Sequence, residues 1–68
     1  MRYIVIEIQG QSDKTATIVN DYDDINQAKS RFHAILSAAA VSEVPIHSAA
    51  LLSDEGKCIK NEFFLHET

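Results

Sequence analysis

Residues 15–42 read TATIVNDYDDINQAKSRFHAILSAAAVS, and within this stretch the apolar residues change period. TATIVNDY (15–22) is rich in β-branched and aromatic residues and reads as a strand. Beyond it Ile25, Ala28, Phe32, Ile35 and Ala39 recur three and four residues apart, the apolar stripe of an amphipathic helix. Asp24 stands before the stripe and Gln27 three residues later, the spacing of a capping box. Pro45 disfavours helical backbone at Val44, so the helix is expected to close near Val41 or Ser42. A helix of that extent measures ~25 Å, and an eight-residue strand has a similar length. One helix can therefore cover one sheet face.

Working outward, residues 2–9 alternate with period two. Ile4, Ile6 and Ile8 fall on one side and Tyr3, Val5, Glu7 and Gln9 on the other. GQSDK (10–14) is a turn-rich connector, so the first two strands are expected to form a hairpin. On the other side of the helix, IHSAALLSD (46–54) and KCIKNEFFLHE (57–67) read as two more strands. SDEGK joins them, with Gly56 placed for a positive-φ turn position. The expected fold is α+β: ββαββ, a four-stranded, mainly antiparallel sheet with one helix on one face, residues 1–68 forming a single domain.

The chain has 68 residues, too few for a comfortable monomeric core. Apolar residues make up 46% and charged residues 24%, which is globular composition rather than that of a disordered chain. No apolar run approaches the ~20 residues of a membrane span, and no helix carries a basic stripe, so no membrane role is expected. The opening MRYIVIEIQG has no apolar leader segment, and none is expected. Cys58 stands alone and cannot form an internal disulfide, which points to a reduced, cytoplasmic setting. Six scattered basic residues against ten acidic ones give a net charge of -4. Few groups are left to neutralise phosphates, and no direct nucleic-acid binding is expected.

Hydrophobicity assigns the core face to Ile4, Ile6, Ile8, Ile18, Leu52, Ile59, Phe63 and Leu65. The opposite face then holds Tyr3, Val5, Val19, Leu51 and Phe64, with Thr17, Ala49 and Cys58 among them. A solvated antiparallel face is normally polar. This semi-apolar one makes Tyr3, Val5, Val19, Leu51 and Phe64 the candidate interface and a homo-oligomer the expected state. The acidic run Asp21, Asp23 and Asp24 reads as a solvated turn before a helix N-terminus, with a metal site or an acidic docking patch as the sharper alternatives. SAAAVS (37–42) is a small-residue stretch that suits tight packing in a core or at an interface.

Catalytic signals are weak. His33, His47 and His66 supply three imidazoles, but no HExxH, HxH or CxxC spacing accompanies them, so each reads better as a structural or surface histidine than as a zinc ligand. GKCIK around Cys58 has no helix N-terminus to lower a thiol pKa. No glycine-rich phosphate loop is present. The expectation is a protein that is not an enzyme and uses no cofactor and no metal.

The YIVIEIQ strand, the centre from DYDDINQAKSRF through HAILSAAAVSEVPIHSA to ALLSDEG, and the KNEFFLHE tail cover nearly the whole chain. Together they resemble small accessory proteins encoded by phages and prophages of Gram-positive bacteria. HAILSAAAVSEVPIHSA, His33 to Ala49, is the most specific part. The resemblance carries no catalytic residues. It implies a phage-derived product in a bacterial cytoplasm, of a class whose members often bind and block a host protein, antiviral defence factors included. Two alternatives stand beside that expectation. One is an oligomeric sponge for a nucleotide-like ligand, with a pocket around His33, Ser37 and His47. The other is a virion or assembly component whose apolar face docks a larger phage protein.

Overall fold

The computed structural model describes residues 1–66. The elements follow as β1 (Tyr3–Gly10), β2 (Thr15–Tyr22), α1 (Ile25–Ala40), β3 (Ile46–Ser53) and β4 (Cys58–Leu65). The fold is α+β, a four-stranded antiparallel sheet with one helix packed against it. The strand order is β2-β1-β3-β4. The expected fourth strand ran on to Glu67, which lies outside the described residues.

Each connection has a local cause. Gln11 N–H donates to the Lys14 carbonyl at 2.8 Å and closes the first hairpin. In the second, Gly56 takes φ +85°, and its N–H donates to the Ser53 carbonyl at 3.0 Å. Asp24 has extended backbone and its carboxylate accepts from Asn26 N–H at 3.0 Å, an N-cap bond. That bond comes from the N–H of Asn26 rather than the Gln27 of the expected capping box. The helix ends at Ala40 with Val41 as its C-cap, as the proline argument expects. Nearby, His66 Nε2–H donates to the Ala39 carbonyl at 2.7 Å, and His66 N–H donates to the Pro45 carbonyl at 2.8 Å. His66, just past β4, is thereby tied to the last turn of the helix, where carbonyls lack intrahelical partners.

The faces are exchanged relative to the hydrophobicity assignment. Val5 and Leu51 are fully buried, together with Ala49, against Ala28, Phe32 and Ile35 of α1, and Tyr3, Tyr22 and Leu36 pack around them. Phe64 lies opposite His47 on this same side and is half-buried. Tyr3, Val5, Leu51 and Phe64 therefore belong to the helix side and form no outward interface; Val19 alone of that set faces away. Ile4, Ile6, Ile8, Leu52, Phe63 and Leu65 lie on the uncovered side. Ile18 pairs with Glu7 and so falls on the helix side, but α1 leaves it 45% exposed at the sheet edge. Ile59 is 39% exposed beside the β3–β4 register shift.

Topology supplies the physical reason. β2 and β3 both run antiparallel to β1, so they are parallel to each other with β1 between them. The β2–α1–β3 segment is thus a split crossover, a connection bound by handedness. The hand of the crossover, rather than the count of isoleucines, decides which face the helix covers.

Candidate functional site

Two features stand out once the faces are placed. The first is a buried polar cluster under the helix. Glu7 and His47 share a face because β1 and β3 pair in the register Gln9↔His47 and Glu7↔Ala49, which sets them diagonally across adjacent strands. Both are buried. His47 Nε2–H donates to Glu7 Oε2 at 2.7 Å, and Gln9 Nε2–H donates to the same oxygen at 3.0 Å. Arg31 reaches Glu7 Oε1 at 3.7 Å from α1. Burial raises the Glu7 carboxyl, but the hydrogen bonds from His47 and Gln9 and the charges of His47 and Arg31 outweigh it. The net effect holds Glu7 below its ordinary 4.5. One carboxylate thus joins β1, β3 and α1.

An imidazole oriented by a carboxylate is part of many catalytic arrangements. Here the other ring nitrogen, His47 Nδ1, is buried and has no hydrogen-bond partner among the described residues. The nucleophile candidates point elsewhere. Ser48, the next residue along β3, faces the opposite side of the sheet. Cys58 pairs with Leu52 at the far end of the sheet, on the uncovered face, and is exposed. The cluster fastens the helix to the sheet.

The second feature is the uncovered sheet face. The pairing register places four positions from each strand on it, sixteen in all. β1 contributes Ile4, Ile6, Ile8 and Gly10, and β3 contributes Leu52, Ala50, Ser48 and Ile46. The edge strands add Asp21, Val19, Thr17 and Thr15 from β2 and Cys58, Asn61, Phe63 and Leu65 from β4. Asp21 is the single charged residue among them, and it sits at a corner, paired with Arg2 at 3.1 Å. Phe63 is 64% exposed, Leu65 62% and Val19 61%. Chain alternation alone could have revealed this plane, because Ile4, Ile6 and Ile8 were visible as a set. The most apolar face of this sheet is not the covered one.

The remaining expected sites fare differently. Asp21 is occupied by Arg2 and Asp24 by the helix N-terminus, which leaves Asp23 as the exposed carboxylate of the acidic run with no structural bond among the described residues. His33, Ser37 and His47 do not come together as a pocket. His33 and Ser37 are exposed on α1, whereas His47 is buried on β3 and engaged with Glu7. An open groove of about 540 Å³ lies instead between the first hairpin turn and the α1–β3 loop, lined by Gln11, Ser12, Glu43, Val44 and Pro45. Glu7, which carries the polar cluster, was missed. The available signal was a lone carboxylate inside an otherwise apolar strand, at the same parity as Val5.

No group of three or more His, Cys, Asp or Glu residues suited to a metal ion occurs among the described residues. Among the same residues, no helix is long and apolar enough to cross a membrane. Comparison with protein-family models, with curated proteins and with solved structures finds no match to this chain.

Proposed function

We propose that this chain is a non-enzymatic binding protein of the phage or prophage type, which acts in a bacterial cytoplasm by occluding a host protein such as an antiviral defence factor. The observation that supports this reading is the uncovered sheet face, with one charged residue in sixteen positions. Contiguous apolar surface of this kind marks interaction sites. The buried cluster offers chemistry no access, since Glu7 and His47 are spent on each other beneath the helix. The resemblance of HAILSAAAVSEVPIHSA to phage accessory proteins supplies the biological setting.

The test is phage plating on Gram-positive hosts that carry different defence systems, with this protein expressed at graded levels. Plating should recover in at least one host and should scale with the amount of protein, as stoichiometric binding requires. Val19→Lys combined with Phe63→Lys should abolish the effect while the circular dichroism spectrum stays unchanged. Recovery in no host, or full recovery with the folded double variant, overturns the reading.

A further inference from the structure

We infer that the uncovered face is covered by a second copy of this chain, the two sheets packing face to face about a two-fold axis. This rests on the reading of that face as a binding surface and names its occupant; with the face closed, the dimer is the species that meets the host protein, through its remaining outer surface.

Charge is the first argument. Each copy carries a net charge of -4, yet Asp21 is the one charge on the face and lies at its corner beside Arg2. Two copies can therefore approach through this face without burying an unpaired charge, which is the costly event at an interface.

Relief is the second. On β1 the face presents a row of isoleucines at positions 4, 6 and 8. On β3, directly beside it, Ile6 pairs with Ala50 and Ile8 with Ser48. The Ile6–Ile8 part of the ridge thus runs alongside a short trough of small side chains, which Leu52, paired with Ile4, and Ile46, paired with Gly10, close at its two ends. A two-fold axis parallel to the strands, lying between β1 and β3, turns each ridge over the trough of the other copy. Ile6 then meets Ala50 and Ile8 meets Ser48, twice over, while Ile4 meets Leu52 at one end as an apolar pair. The same rotation lays β2 over β4, so that Thr17 meets Phe63 and Val19 meets Asn61. Isologous contact requires this self-complementarity, and sheets about 10 Å apart with strands within about 30° of each other provide the spacing.

Area is the third. Four strands ~4.8 Å apart and eight residues long at ~3.3 Å each make a plane of roughly 500 Å² per copy before side-chain relief is counted. Two such planes reach the ~1,000 Å² that a specific interface needs. Edge-to-edge pairing through β4 is less favoured, because that strand carries a register shift opposite Leu51/Leu52 as well as Lys60 and Glu62, features that blunt an edge.

The experiment is sedimentation equilibrium of the purified chain and three variants at micromolar concentration. The wild type should have twice the 7.6 kDa chain mass. Val19→Lys with Phe63→Lys should have the single-chain mass and an unchanged circular dichroism spectrum, since both side chains are largely exposed within one copy. Ala50→Leu fills the trough and should weaken the dimer by about tenfold or more. Val41→Lys, at a position 84% exposed at the helix C-terminus and off the face, should remain a dimer. A monomeric wild type, or a double variant that stays dimeric, overturns the inference. A monomeric wild type that still restores phage plating would overturn the dimer and leave the proposed function standing.

Discussion

Glu7 is the residue through which the helix and the two central strands meet, and its chemistry predicts how the protein responds to acid. Its carboxyl lies below the ordinary 4.5 in the folded state because the hydrogen bonds and charges around it outweigh the cost of burial. On acidification the unfolded chain therefore takes up this proton first. The stability that Glu7 contributes is complete above about pH 4.5 and is lost as the pH falls from there through the lower folded value. Urea midpoints measured from pH 7 to pH 3 should fall below about pH 4.5, and Glu7→Gln should flatten that fall. Glu7→Ala should cost about 1–3 kcal/mol at neutral pH, because His47 would then be buried with neither ring nitrogen bonded. A flat wild-type profile across that range would show that the cluster does not carry the acid response. This interaction was only half legible in the sequence. Alternation fixed that Glu7 shares a side with Val5, but its contact with His47 depends on a strand pairing forty residues away, which no local pattern encodes.

Elements were the most legible level, and the reason is that their signals are local. The change from period two to period 3.6 falls between Tyr22 and Ile25, and the helix begins there. Gly56 takes the positive φ that its turn demands. The helix start also separates two adjacent carboxylates that look alike in DYDD. Asp24 accepts the Asn26 N–H, whereas Asp23 is exposed and makes no bond of that kind. Asp24→Ala should destabilise the fold by about 1 kcal/mol, and Asp24→Ser should restore most of the loss. Asp23→Ala should stay within about 0.5 kcal/mol of the wild type, the usual range for a surface substitution. Equal losses at the two positions, read from denaturant midpoints, would show that the effect belongs to the charge of the run and not to the cap. The faces were not legible at this level. Strand alternation yields two sets of residues but does not say which set the helix covers, and the crossover that decides it is a property of the assembled sheet.

At the scale of the molecule the decisive fact is how little one copy buries. Among the described residues the buried hydrophobic core consists of seven, three of them alanine, while the isoleucine row of β1 remains on the open side. A 68-residue chain is marginal even when its most apolar face is covered. Covering the open face with a second copy would make folding and association one equilibrium, and stability would then follow concentration by mass action. A tenfold rise in protein concentration should stabilise the dimer by about 1.4 kcal/mol. With an unfolding entropy of about 2.1 cal/mol/K per residue, that amounts to a rise of about 5 °C in Tm. Calorimetry over two decades of concentration should show this slope for the wild type and for Val41→Lys. The double variant Val19→Lys with Phe63→Lys should melt at a lower temperature that does not depend on concentration. A wild-type Tm independent of concentration would mean that the small core suffices alone, and the isoleucine face would then be free in solution to meet a different protein.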